Sequence, residues 1–365
     1  MTVDTSLHKL LSLEGVTLPD IESLRLILQG GSIIDWHRLN LPTPEAVQQF
    51  LRVNCHDPDS PHDQLRLRHL LSKSVRYLER NFRYHFPPQL AEPEHVEDLF
   101  VLASGKSEFQ NLACILLKVM QILNHVDAGE LKTHLSVSED VLLRRAEDAV
   151  TRTVQRLQKA GAPIVSFVSS RKSRDSLITK LLAKKTTVAT QVYDLLRFRI
   201  ITRTPLDLVP VLTFLKNELL PFNYVVPGQS RNEILKIHDV LQHLSPAVNS
   251  RLEHTLSRLQ LEDVSMEEEN RFSAANYRMI SFVVDLPLRV DDLIDPDDPG
   301  LSNLGFLVFY VVEFQMFDEQ TDVENQQGDS SHESYKDRQR WEVIRRLVYG
   351  SQLSDTGGPA HGRTS

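Results

Sequence analysis

From the start of the chain to about residue 160, apolar positions recur every three or four residues, which predicts helices throughout. Leu18-Pro19-Asp20 opens a helix that runs through Leu28 and stops at Gly30-Gly31. Thr43-Pro44-Glu45 supplies a cap, a proline at the first helical position and an acidic first turn, with the helix reaching about Val53. Cys55 to Pro61 (CHDPDSP) reads as a loop. A long amphipathic helix follows, with Leu65, Leu67, Leu70, Leu71, Val75 and Leu78 turned inward. Pro87 and Pro88 break the chain, and Pro93 starts a helix through Leu102. Phe109 to Val126 is apolar on nearly every side, as the buried central helix of this region would be. Ser136 to Gly161 has a Ser-Glu start, a helical period and a terminal glycine.

From Ile164 the period changes. Strands are expected at Ile164–Val168, Tyr193–Thr202, Phe222–Val226, Tyr277–Leu286 and Phe306–Phe317. Helices are expected at Pro205–Leu220, Asn232 to about Leu259, and Glu333–Val348. Glu262–Glu269 and Val290–Gly300 read as acidic connections, and Glu319–Ser331 as a polar loop. The irregular alternation predicts an α+β fold with a mixed sheet flanked by helices, preceded by an all-helical domain. The boundaries read as a helical domain at 1–160, an α/β domain at 161–350 and a disordered Ser/Gly-rich tail at 351–365.

One stretch departs from its surroundings. Ser169 to Arg203 carries nine Lys and Arg against two Asp, in a chain of net charge −8. Ser173 reads as an N-cap, with Leu177, Ile178, Leu181 and Leu182 forming one apolar stripe behind it. A helix start offers free N–H groups and partial positive charge, so Arg171, Lys172, Arg174 and Lys180 around it make an anion site suited to a polyphosphate. The apolar segment Val192–Thr202 is interrupted by Asp194, Arg197 and Arg199. Charges inside a buried strand are costly unless they are paired or serve a site.

Composition narrows the classes. The 365 residues are 41% hydrophobic and 25% charged, ordinary for a globular protein, and suffice for two domains. No uninterrupted apolar run approaches the roughly 20 residues that cross a bilayer. The first residues lack a basic lead and a signal-like apolar core. Cys55 and Cys114 are far apart and read as free thiols, which agrees with a cytoplasmic setting and no membrane. No Walker loop, GxGxxG, GxSxG elbow or Cys/His zinc spacing occurs. His56-Asp57 and His62-Asp63 suggest an HD-type hydrolase, but both pairs sit in one Pro-rich segment that reads as a solvent loop.

Lys172-Ser173-x-x-Ser176-Leu177-x-x-Lys180-Leu181, followed by Asp194-Leu195-x-x-x-Arg199-Ile200-Ile201, resembles the synthetase domain of the RelA/SpoT family. Tyr277 to Val284 and Val312-Glu313-Phe314-Gln315-Met316 resemble two later strands of that family. His332, Glu333, Tyr335 and Lys336 are similar to its closing helix. The blocks keep the family order across about residues 166–349. The resemblance implies a nucleotidyltransferase-like fold and Mg²⁺-dependent transfer of pyrophosphate from ATP to a 3′ hydroxyl of a nucleotide, the reaction that makes the alarmone (p)ppGpp.

It also implies roles. Asp194 and Glu313 would hold Mg²⁺, and Glu313 would activate the acceptor hydroxyl. Arg171, Lys172, Ser176, Lys180 and Arg199 would hold the donor phosphates. Tyr277 would stack on the acceptor base, with Gln315 on the strand face of Glu313. Several family positions differ: Ser170, Arg197, Asn276, Met279, Ser281 and Phe317 stand where the family has Arg, Gly, Gly, Ser, His and Arg. These losses fall mainly on the acceptor side. They leave the acceptor open among nucleotides and RNA, and they leave a catalytically inactive nucleotide- or partner-binding module as the alternative. A homo-oligomer is also compatible with the resemblance.

Overall fold

The computed structural model describes residues 13–31, 39–183, 195–243, 277–294, 301, 303–327 and 332–349. Among the described residues seven α-helices come first: α1 (Leu18–Gln29), α2 (Pro44–Val53), α3 (Pro61–Phe82), α4 (Pro88–Ala91), α5 (Asp98–Ser104), α6 (Gln110–His134) and α7 (Glu139–Lys159). Then follow β1 (Ile164–Arg171), α8 (Arg174–Ala183), β2 (Leu196–Thr202), α9 (Leu208–Glu218), β3 (Arg231–Asn232), α10 (Ile237–Gln242), β4 (Ile280–Arg289), β5 (Leu307–Asp318), α11 (Glu319–Asn325) and α12 (His332–Tyr349).

Hydroxyl caps set several helix starts. Thr17 and Asp20 make a reciprocal capping box on α1, and Gly30 closes it at φ 65°, a left-handed turn that suits glycine. Thr43 caps α2 and Ser60 caps α3, each with proline in the first turn. The N–H of Ser176 donates to the Ser173 hydroxyl, so Ser173 caps α8 as expected.

The five strands lie in the order β1-β2-β5-β4-β3. β2 and β5 run parallel, and the other neighbours are antiparallel. The sheet is therefore mixed and flanked by helices. β5 is its centre: Phe314 lies between Phe198 and Phe282, with ring centroids 5.3 Å away on each side. α6 packs against α3, α5 and β5. By length and composition α6 could cross a membrane, but Ala113, Leu116, Met120 and Leu131 on it are buried in the core. One buried apolar cluster extends from α1 through α7 into β2, β4 and β5, without interruption near residue 160.

Several expectations are corrected. Leu65 is 66% exposed, because α3 turns Leu67, Leu70, Leu71 and Leu78 to the core instead. The Pro93 helix is replaced by the short α4 and α5. Ser169–Arg171 continue β1 because β2 extends alongside them, pairing Arg171 with Leu196. Phe222–Tyr224 is a 3₁₀ turn, and only Val225 bridges to β4. Asn232 belongs to β3, and the helix after it is the short α10. The polar loop after β5 begins instead as α11, capped by Asp318. His56 and Asp63 are buried, at 5% and 0% exposure, and Asp63 is ion-paired with Arg289 at the end of β4. The acidic connection at 262–269 and the tail after Gly350 lie outside the described residues.

Candidate functional site

Strand register gathers the charged positions. Arg197 pairs with Glu313, and Arg199 with Gln315, across the parallel β2–β5 ladder. Ser281 of β4 lies opposite Gln315, and Arg231 of β3 opposite Ser281. Residues directly opposite share a face, so these six positions form one polar patch across four strands. The other face of the same strands carries Phe198, Ile200, Phe314 and Phe282, all fully buried. The patch is thus set by alternation. Phe198, Phe282 and Phe314 face the helical core, while Arg197, Arg199, Glu313 and Gln315, with Phe317 of β5, face the side where α11 lies.

Within the patch the charges are matched. Arg197 Nε donates to Glu313 Oε2 at 2.8 Å, and Gln315 Nε2 donates to Glu313 Oε1 at 2.9 Å. Arg199 is ion-paired with Asp322 of α11, and its guanidinium lies 4.5 Å from the centre of the Phe317 ring. Asp322 also accepts from Gln326. Tyr277 packs edge-on to Phe317, centroids 6.4 Å apart. Burial raises the Tyr277 phenol above its usual range, opposed by the positive charge of Arg199 and Arg197. At neutral pH it is therefore an intact hydroxyl.

The remaining predicted residues divide. The N–H of Lys172 donates to the Leu195 carbonyl, prolonging the β1–β2 ladder. Continued alternation from Ser170, the partner of Arg197, places Lys172 on the patch side. Lys180 is half-buried in α8, and Ser176 is exposed in its first turn, where its hydroxyl accepts from Ser173. Arg171 is not brought to the patch. It lies one residue out of phase with Lys172, on the face of Phe198, and pairs with Glu147 and Asp140 of α7. The Ser169 hydroxyl and Arg171 together hold the Glu147 carboxyl below its usual range. Arg171 is thereby a tie between β1 and α7. Asp194 lies outside the described residues.

The fit of a divalent cation follows from these bonds. Mg²⁺ needs carboxylate oxygens open to it. Both Glu313 oxygens already accept from protein donors, and Asp322 is held by Arg199. Among the described residues, no three His, Cys, Asp or Glu side chains converge as metal ligands. Of the two expected ligands only Glu313 is described, and both of its oxygens are engaged by Arg197 and Gln315.

In the sequence Arg197 stands out only as a departure from the family pattern, although its spacing of two from Arg199 puts both on one face. Asp322 was missed because nothing in the sequence marks a short helix folding back onto β2.

No protein-family profile matches the chain, and no curated protein matches it significantly. Solved structures do. Small alarmone synthetase 1 from Bacillus subtilis is similar at 13% identity and TM-score 0.28, over 64% of this chain and 92% of that one. Its complex with the product pppGpp aligns at 16% identity and TM-score 0.31, over 57% and 90%. A GTP pyrophosphokinase family protein from Streptococcus pneumoniae aligns at 13% and 0.30, over 58% and 88%.

Proposed function

We propose that the protein is a nucleotide-binding module whose polar sheet face takes a polyphosphate, on a scaffold resembling the pyrophosphate-transferring synthetases. One observation carries this reading: Arg197, which stands where the family has glycine, donates to Glu313 and leaves that carboxylate compensated by protein rather than open to metal. Phosphate oxygens would take Arg197 and Arg199 over from Glu313 and Asp322, an exchange that guanidinium geometry suits, with Lys172 as a further cation on the same side. Tyr277 supplies an aromatic surface for a base, and stacking tolerates any base. Binding in this form does not need Mg²⁺.

A second reading has its own support. Glu313, Gln315, Arg199 and Tyr277, four residues matched to the family, share one patch. If an incoming polyphosphate draws Arg197 away, Glu313 becomes free to accept the proton of a 3′ hydroxyl, whose oxygen attacks the β-phosphorus of ATP as the α–β bond breaks and AMP leaves. Ser281 cannot reproduce the reach or charge of the family histidine, so GDP and GTP are expected to be poor acceptors.

Calorimetry with ATP, run with Mg²⁺ and with EDTA, tests the first reading, which expects binding in both. Lys172→Ala should weaken that binding by about 1–3 kcal/mol, the scale of a lost charge-assisted contact. Unchanged affinity would remove Lys172 from the site. Incubation with γ-labelled ATP, Mg²⁺ and GDP, GTP, ATP or tRNA tests the second. Labelled product that disappears in Glu313→Gln would establish transfer, and its absence is the expected result.

A further inference from the structure

The end of α3 is basic in an acidic chain. Residues 66–86 carry six Lys and Arg and a single acid, Glu79, against a net charge of −8 for the whole protein. Arg66 and Lys73 are held by Asp127 of α6, and Arg68 donates to the Glu94 carbonyl. The other three cations, Arg76, Arg80 and Arg83, are exposed. Arg76 Nε donates to the Ser72 carbonyl one turn back, and none of the three pairs with a carboxylate among the described residues. Arg76 and Arg80 are four positions apart, so they are neighbours on one helix face. Arg83 follows as the C-cap at φ 59°, a left-handed turn where glycine is the unstrained choice. The helix dipole favours cations only within the last turn, which accounts for Arg80 and Arg83 but not for Arg76.

Two rings stand among these cations. Tyr77 is 41% exposed and Phe82 59%, and they meet edge-on with centroids 5.7 Å apart. Neither belongs to the buried core. Tyr84 and Phe86, next along the chain, stack on each other and pack against the core, so burial accounts for them and not for Tyr77 and Phe82. Guanidinium groups that no carboxylate neutralises attract phosphate, and exposed rings offer faces on which bases stack. An anionic bilayer would meet the charges, but it also needs an apolar helix face to enter it, and α3 has buried Leu67, Leu70, Leu71 and Leu78 in the core. A duplex would meet the charges and keep its bases from the rings.

We propose that the end of α3 binds single-stranded RNA, with Arg76, Arg80 and Arg83 on phosphates and Tyr77 and Phe82 against unstacked bases. Glu79 and Asn81 favour RNA over DNA. Both are exposed, and Asn81 Nδ2 donates to the Tyr77 carbonyl, which leaves its Oδ1 open. Each side chain can therefore accept from a 2′-hydroxyl, the group that DNA lacks. This surface shares no residue with the polar sheet face, and α3 packs on α6 and α4.

Fluorescence anisotropy on the full chain tests the assignment, with labelled oligouridylate of about 12 nucleotides, its deoxy counterpart and an RNA duplex as probes. Oligouridylate should bind at least threefold more tightly than the deoxy strand and tenfold more tightly than the duplex. Log affinity should fall against log salt with a slope of about −2, three phosphates at about −0.7 each. Phe82→Ala should weaken binding at least fivefold, and Arg76→Ala with Arg80→Ala at least tenfold with a shallower slope. Arg152→Ala with Lys159→Ala, the same charge change on exposed positions of α7, should leave it unchanged. ATP should not displace the RNA, which separates this surface from the sheet face whether or not ATP binds there. Failure of the native protein to bind oligouridylate at low salt would overturn the proposal, as would equal weakening by the α7 pair or full binding by Phe82→Ala. Equal affinity for the deoxy strand would overturn the choice of RNA. Tighter binding to phosphatidylglycerol vesicles than to oligouridylate would give the surface to a membrane instead. The salt slope and the RNA-to-DNA ratio are read on the native protein, so they decide even if a variant fails to fold.

Discussion

Asp127→Ala should lower stability by about 3–5 kcal/mol, the usual loss when one partner of a buried ion pair is removed. Asp127 on α6 accepts from Arg66 Nη2 at 2.9 Å and from Lys73 Nζ at 3.1 Å. The side chains of Arg66 and Asp127 are only 6% and 9% exposed, so neither is screened by solvent. Without Asp127, Lys73 can turn outward, since it is already 29% exposed. Arg66 cannot. Its other bonds go to the Asn124 amide oxygen and the Asn303 carbonyl, which are neutral. It is also confined by Gly305 (φ 89°), where a Cβ would come within 2.6 Å of its Nε. An uncompensated guanidinium would be left at the joint between α3, α6 and the approach to β5. Urea denaturation at neutral pH measures the loss. Asp127→Asn, which keeps an acceptor but not the charge, should lie between the two. A loss below about 1 kcal/mol for Asp127→Ala would mean that water already reaches Arg66.

Acidification should destabilise the protein through His56 well before the carboxylates titrate. Burial is the main cause of its lowered pKa, opposed by the hydrogen bond to the Asn54 carbonyl and by Asp63, and reinforced by Arg66 and Arg289. The folded value is about 4 against an ordinary 6.5, so the folded state favours the neutral ring. Above pH 6.5 both states are neutral and the full stability is present. As pH falls from 6.5 toward 4 the unfolded chain takes up a proton that the folded chain refuses, and stability is lost. The full interval corresponds to about 3 kcal/mol, at about 1.4 kcal/mol for each unit. Denaturation midpoints measured from pH 7.5 to 4.5, native against His56→Gln, isolate this group from the other histidines. The native slope should be steeper. Parallel slopes would show that His56 is hydrated.

Much of the frame is written locally, and for that reason it could be read. Thr43 and Ser173 cap helices by bonds that span three residues, so those starts were visible in a few letters. The apolar stretch of α6 and the dense β5 strand declared their burial by composition. β2 showed two arginines two positions apart, which fixed a charged face on an otherwise apolar strand. The mixed character of the sheet followed from irregular alternation.

Pairing across long separations could not be read, because no local pattern encodes a partner. The sequence put Arg171 beside Lys172 as a phosphate ligand. Register separates them, since adjacent strand residues face opposite ways, and Arg171 pairs with Glu147 of α7 on the other face. Arg197 meets Glu313 116 positions away, and Arg199 meets Asp322 123 positions away. These two ion pairs turn a face that looked ready for a metal into one that is already neutralised. His56 and Asp63 looked like solvent-loop residues because prolines surround them. Arg289, brought from the far end of β4, makes burial of Asp63 affordable by supplying the charge it lacks. Sequence determined which residues can form helices and which strand faces carry charge; tertiary structure decided which charge meets which, because ion pairing depends on distances of a few ångströms that only the folded sheet sets.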